Sequence, residues 1–421
     1  MAQPEHNWLQ TLAPEDPSAA LALTALQAQG LPTPRDEHWL HAHLRSLGAV
    51  RHLSPVTAAA ATAALPATAR ALLPAPLPDL PRLVLVDGHP QASLSDAAAL
   101  AAFVVARGGL PLQTADPDLR FAALAALLAV APLRLQAMAG AEARFEILYV
   151  HTGQPGSVYP RLSLQLDAGA RLTLVERHCG GTDAHSMLCT ATDVRVGSGA
   201  RFELHRLHEF DAGTLLLDQL QLQLDASAEC RLHQISAGGA NVRQTLCARL
   251  AGTGSSLQWL GAAVQREAEY HDSLVRIRHE AAGSRADYRY RALAADRAHV
   301  SCSADVLVAP AARGARVRQS LRGLVDGRGG HINLRPRLEI NTDDIQATHG
   351  ATTGQLDERL LFYLLARGID PGSARAMLKW AFLEDVLGAI SEPALRRAAE
   401  QLAARHLGDA ATHELVGSLL A

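Results

Sequence analysis

Lysine is almost missing from this chain: Lys379 is the only one among 39 basic residues. It follows Met377 and Leu378 with no glycine-rich loop before it, so the phosphate cradle of a P-loop is absent. If ATP serves the function, another chain binds it. Aromatic residues make up 4%, too few to line a groove that stacks sugars. There is no basic surplus either. A formal charge of −3 argues against a nucleic-acid partner. The five cysteines, Cys179, Cys189, Cys230, Cys247 and Cys302, form no CxxC pair, which excludes a disulfide framework, a zinc knuckle and a ferredoxin-type cluster motif. They read as small buried residues of a reducing compartment. Residues 1–20 lack the basic start and apolar run of a secretory signal, and the longest apolar run, 121–133, is broken by Pro132 and falls short of the roughly 20 residues a membrane span needs. A cytoplasmic protein without a membrane partner is expected.

What is present is an apolar supply of 48% over 421 residues, enough for two or three domains. Residues 1–80 read as a helical domain, with helices over 21–29 and 37–47, ended by a linker carrying Pro66, Pro74, Pro76, Pro78 and Pro81. Residues 81–144 read as a mixed lead-in: a strand over 83–86, then helical stretches over 94–107 and 119–131. From 145 to 353 short alternating segments are separated by turns of small residues, and they repeat. Aligning the turns on Gly169, Gly199, Ser227, Gly254, Gly283 and Gly314 gives a period of about 29 residues, the spacing of a solenoid or array. A stacked solenoid and an antiparallel sandwich both satisfy that pattern.

Residues 354–421 read as a helical domain. Asp370 and Pro371 open one helix that Gly388 ends. Ser391 opens the next, with Leu395, Ala398, Ala399 and Leu402 on one face, and Asp409 caps the last. The transition is the most informative stretch. Leu338, Ile340 and Ile345 alternate as in a strand bent at Asp343 and Asp344. From Gln355 the period turns helical, with Leu356, Leu360 and Leu364 on one face and Leu361 and Leu365 widening it. Thr352 and Gln355 have capping-box spacing, and Thr348 to Thr352 reads as a small-residue loop around His349.

That stretch resembles the end of the core domain in the SufB/SufD family of iron–sulfur cluster assembly scaffolds, its SufD branch more than its SufB branch. The residues that carry the resemblance are Pro336-Arg337-Leu338-Glu339-Ile340, Asp343-Asp344-Ile345, His349-Gly350-Ala351-Thr352, Gly354-Gln355-Leu356-Asp357, Leu361-Phe362-Tyr363-Leu364 and Arg367-Gly368-Ile369. A second match lies at Gly30-Leu31-Pro32-Thr33-Pro34-Arg35 with Glu37 and Trp39, and a weaker one at 83–88. The resemblance implies a right-handed parallel β-helix between helical flanks. It also implies a non-catalytic scaffold subunit that pairs with a SufB-like subunit through the β-helix and docks a SufC-like ATPase through the C-terminal helices. The alternative within the family is a SufB-type subunit that carries the nascent cluster; outside it, a carbohydrate-active β-helix enzyme would need the groove of carboxylates and aromatics that the composition denies.

His349 is the candidate site residue. An imidazole among small residues can ligate a metal or move a proton, and it can equally be a hydrogen-bonded turn residue. The resemblance places it at the histidine implicated in cluster assembly at the SufB interface, with Ala347 where some relatives carry cysteine. No cofactor is expected on the isolated chain; a cluster is expected only in passing, at the interface. Leu378, Phe382, Val386 and Leu387 are the expected docking residues for the ATPase. Asp343 and Asp344 point to opposite faces of an extended chain and read as a solvated bend, not an acid–base pair. His205, His208, His271, His279 and His331 show no HxH or HExxH pattern and read as surface or strand-face residues, and Ser163, Ser198 and Ser273 lack a nucleophile context.

Overall fold

The computed structural model describes residues 73–106, 117–182 and 185–407, together with residues within 20–42 and 50–57. Two sheets, of ten and nine strands, form its centre. Each long strand pairs in parallel with the strand two places on in the chain. Arg201–Phe210 lies between Arg171–Gly181 and Glu229–Ala237, and Leu215–Leu224 between Leu188–Val196 and Asn241–Leu250. The chain therefore crosses from sheet to sheet at every turn, giving a β-solenoid of about 8 turns with helices flanking it. This parallel pairing decides for the solenoid over the sandwich.

The repeat is a repeat of turns. Gly169, Gly199, Gly254, Gly283 and Gly314 all sit at φ between 66° and 70°, and Ser227 at 54°. That left-handed conformation is open to glycine and strained for serine, which explains the small residues at this place. Each such residue donates its backbone N–H to a carbonyl one turn further on, from Gly169 to Ser198 (3.0 Å) through Gly254 to Ala282 (2.9 Å) and Gly314 to Asp344 (2.8 Å). Between the turns, alternate residues such as Leu164, Leu174, Leu204, Leu224, Leu232 and Val306 point inward and stack into one continuous core. Each leucine fully buried in this way contributes roughly 1.5–3 kcal/mol.

The solenoid uses residues on both sides of the expected 145–353 span. Arg82–Val86 pairs in parallel with Glu142–Thr152, and Leu133–Ala137 with Arg161–Leu166, so residues before 145 supply the first turn. The expected helix over 94–107 is only Ala97–Ala102, because Phe103 turns into the core and Val104–Val105 joins a sheet edge. The other, Arg120–Leu128, packs its buried face on the nine-stranded sheet. Of the expected 37–47 helix, the described part is a 3-10 turn, Glu37–Trp39. Pro66 of the proline linker, and the last helix with its cap Asp409, lie outside the described residues, whereas Pro74, Pro76, Pro78 and Pro81 lie within them.

The GLPTP segment docks on the outer face of the nine-stranded sheet. Asp36 accepts from the Thr33 backbone N–H at 2.6 Å, which sets the turn, and Trp39 is fully buried against Phe121 with the Arg243 guanidinium 4.3 Å from its ring centre. His38 lies between two carboxylates, Nδ1 at 2.8 Å from Asp118 and Nε2 at 3.0 Å from Asp305. Hydrogen bonding to Asp118 first, then to Asp305, raises the imidazole to about 9 from 6.5. A raised folded-state pKa means the contribution is complete below pH 6.5 and is lost as pH climbs through 9. The expected outcome is a fall in stability on the order of 2 kcal/mol across that window. Unfolding curves recorded from pH 6 to 9.5 should show it, and His38→Gln should flatten the profile; an equally steep profile in the variant would reject the assignment.

Candidate functional site

Among the described residues, no further strand or helix covers the last turn of the solenoid. His331–Ile340 and Ile345–Gln355 end their sheets, each with a single neighbouring strand, and their outer edges leave a row of backbone donors and acceptors without sheet partners. Alternation places Ile332, Leu334 and Leu338 inward, over Val300, Cys302 and Val306. On the other strand Ala347 lies over Val317, His349 over Gln319, Ala351 over Leu321 and Thr353 over Gly323. In every earlier turn such positions are covered by the next one. Here the Ile332, Leu334 and Leu338 side chains are only partly buried, Ile340 is 44% exposed, and residues 346–355 are exposed throughout.

His349 therefore stands in mid-strand, not in a loop. The expected loop of Thr348 to Thr352 is extended because its small residues continue the parallel pairing with Ala315–Asp326. The strand then runs to Gln355, so Thr352 caps nothing; Asp357 caps the following helix, accepting from Arg359 N at 2.8 Å and Leu360 N at 3.3 Å. His349 sits inward on the open face above buried Gln319, whose Nε2 donates to the Ala304 carbonyl at 3.2 Å. Ala347 shares that face two residues away, about 6.6 Å along the strand. Asp343 and Asp344 occupy the solvated turn between the two strands, each 3.9 Å from Arg313.

Among the described residues three helices follow, and the large exposed apolar side chains lie on the first. In Glu358–Ala366 a single residue, Leu361, is buried, whereas Phe362 is 72%, Tyr363 54% and Leu360 52% exposed. The expected face of Leu356, Leu360 and Leu364 does not form: Leu356 is buried before the helix begins, and Leu360 faces out. Pro371–Leu387, capped by Asp370 with proline in its first turn, and Pro393–Leu407 lie on the outer face of the ten-stranded sheet. Lys379 binds Asp326 at 3.2 Å, Asp385 pairs with Arg291, and Arg405 reaches Glu209 at 2.9 Å. The expected docking residues lie on the second of these helices. Val386 and Leu387 are fully buried, and Leu378 and Phe382 pack against the same layer as Leu207, Ile235 and Leu260. Val386 and Leu387 hold the helix to the solenoid and are out of a partner's reach, whereas Leu378 and Phe382 are half-buried at the margin of the same contact.

Polar residues fill part of the solenoid interior, and sequence reading missed them. Arg206 binds Glu176 at 2.7 Å and Asp218 at 2.8 and 2.9 Å, and Thr190 donates to Asp218 at 2.5 Å. Burial raises Glu176 even beside Arg206. His205, His208, His271 and His279, read from the sequence as surface or strand-face residues, all lie on strands and are buried, and burial lowers His271 and His279 to about 4. Their polar neighbours made them look exposed; His208, for one, hydrogen-bonds buried Gln244 at 3.0 Å. Only His331 among those five is exposed. None of the five cysteines is in a disulfide, and burial pushes Cys179, Cys230 and Cys302 up to about 12, which leaves no reactive thiolate among those three.

In comparisons with known proteins, a family model described as the SUF system FeS cluster assembly, SufBD core domain matches residues 149–382. Iron-sulfur cluster assembly protein SufD of Escherichia coli K12 is 27% identical over 398 residues, covering 90% of each chain. An iron-sulfur cluster assembly SufBD family protein of Mycobacterium leprae is 28% identical, over 57% of this chain and 62% of its own. A chloroplastic Arabidopsis thaliana protein, ABCI7, is 25% identical over 54% of this chain and 48% of its own.

Proposed function

The chain belongs to the SufBD family of SUF-system iron–sulfur cluster assembly proteins, and from that premise we propose that it is a non-catalytic, SufD-like scaffold subunit of a cytoplasmic complex. In this reading it pairs with a SufB-like subunit through its open last turn and docks a SufC-like ATPase through its C-terminal helical region. The observation that supports it most is the uncapped turn. Two edge strands and an inward apolar face are the features a second β-solenoid can cover by adding strands. Exposed Phe362, Tyr363 and Leu360 on the adjacent helix provide the apolar surface on which an ATPase can settle. Nucleotide binding falls to that partner, and the cluster is cargo built or passed at the interface, with His349 as a ligand or proton acceptor.

The test is copurification of the full chain from its own cells, with partners identified by mass. Because the helices after 370 cover Leu207, Ile235 and Leu260, deleting them would damage the solenoid, and point variants separate the contacts more cleanly. Ala351→Lys on the open turn is expected to release the SufB-like subunit, and Phe362→Asp to release the ATPase. Both positions are exposed, so folding should change by less than about 0.5 kcal/mol. Recovery of both partners at wild-type yield by both variants would reject the proposed surfaces.

A further inference from the structure

One group of ligand-type side chains lies far from the open turn. Glu203 and His205 stand on Arg201–Phe210, and His233 on the neighbouring strand Glu229–Ala237, directly opposite His205. The outward face holds all three. Leu204 and Leu232 belong to the solenoid core, whereas Leu207 and Ile235, in phase with the histidines, belong to the layer beneath the C-terminal helices. One donor atom from each of the three lies within 4.8 Å of the others. The imidazoles stack in parallel, ring centres 4.8 Å apart, and His205 Nε2 lies 3.2 Å from a Glu203 oxygen.

His233 is the observation without a structural explanation. It is 4% exposed, and neither ring nitrogen has a hydrogen-bond partner; His205 Nδ1 has none either. Leaving a buried polar group unsatisfied costs about 1–3 kcal/mol, so a histidine kept there for packing alone is a poor choice beside leucine. With both ring nitrogens unpartnered, one nitrogen lone pair is open to a metal ion. The carboxylate side of the group borders solvent. Glu203 lines a surface crevice of about 220 Å³, together with Thr173, Arg201 and Arg231.

We propose that Glu203, His205 and His233 form a binding site for a divalent first-row transition-metal ion such as Fe(II), Co(II) or Zn(II). Two imidazoles and one carboxylate on a single face leave the remaining positions to water or an incoming ligand, the pattern of an open non-haem site. Bonds of about 2.0–2.2 Å require the donors to converge by about 1 Å, which tilting the two rings supplies. Coordination through His205 Nε2 transfers its proton to Nδ1 or releases it, and Glu203 exchanges that hydrogen bond for the metal. Arg231 acts on both Glu203 and His233. A cation there weakens binding by charge alone, so Mg²⁺ and Ca²⁺ are disfavoured against ions that bond strongly to nitrogen. All donors come from this chain, so the site is independent of partner subunits, and it revises the expectation of a chain without a bound cofactor.

The experiment is titration of the chelator-treated full chain with CoCl₂, read by visible absorption and calorimetry, and repeated with ZnCl₂. The expected result is one equivalent bound with the visible bands of an open nitrogen–oxygen site. Glu203→Gln and His233→Asn should each weaken it by tenfold or more. Glu203 is partly exposed, so Glu203→Gln keeps the test decisive even if the His233 variant folds poorly. Wild-type protein that binds neither ion more tightly than ~1 mM would overturn the proposal, as would uptake that Glu203→Gln leaves unchanged.

Discussion

Arg206→Met is expected to destabilise the protein by about 3–5 kcal/mol, the usual cost of removing one partner from a buried ionic cluster. Arg206 is 1% exposed and holds Glu176 and Asp218, themselves 1% and 2% exposed. Without the guanidinium, two carboxylates remain in the solenoid interior with no cation, and they must either desolvate as anions or take up protons. The second route gives a sign. Unpaired buried carboxylates have raised folded-state pKa values, so the variant keeps most of its stability at low pH and loses it as pH rises. Denaturant unfolding at pH 5 and pH 8 measures both effects, and the triple variant that also carries Glu176→Gln and Asp218→Asn should regain part of the loss. A deficit below about 1 kcal/mol at pH 8 would mean that water reaches the cluster.

His349→Ala is expected to leave the fold and the complex in place while cluster assembly falls by tenfold or more. The residue is exposed on the inward side of the last turn, and among the described residues no turn lies above it, so removing the ring creates no cavity there. Iron and sulfide content of the whole complex, with integrity checked in the same preparation, is the deciding measurement. An unchanged cluster yield would reduce His349 to a strand residue, and loss of the complex would make it a contact residue only. Ala347→Cys offers a related check: a thiol on the same open face, two residues away, should raise cluster yield if the interface there uses sulfur ligands, and should be silent otherwise.

Sequence reading reached the repeat because turns obey local rules. A left-handed residue every 29 or so positions selects glycine whatever surrounds it, and the turns at Gly169, Gly199, Gly254, Gly283 and Gly314 are marked for that reason. Helix boundaries were legible where a cap or a stop is built from adjacent residues, as at Asp370 with Pro371 and at Gly388. They were not legible at Thr352. Its capping-box spacing was genuine, but the neighbouring strand offered a full row of parallel hydrogen bonds, and those won. The buried histidines were missed for a related reason: periodicity marks which face a residue takes, not whether a helix or another turn lies over that face. One trace was available. Aligned on the repeat, Phe202-Glu203-Leu204-His205 and Cys230-Arg231-Leu232-His233 place two histidines at the same offset in successive copies, which in a parallel solenoid means side by side.

The sequence by itself determined the repeat, the small-residue turns, the inward apolar stripe and the family, because each depends on residues close together or on a motif read in order. The family resemblance implied the parallel solenoid, and only the tertiary structure decided that Leu378, Phe382, Val386 and Leu387 face it and that no described turn covers His349. It alone brought Arg206 to Asp218 and Glu203 to His233. Those outcomes depend on which strand lies beside which and on what covers each face, and contacts between residues tens of positions apart are set by the stacking of turns, not by any local preference of the chain.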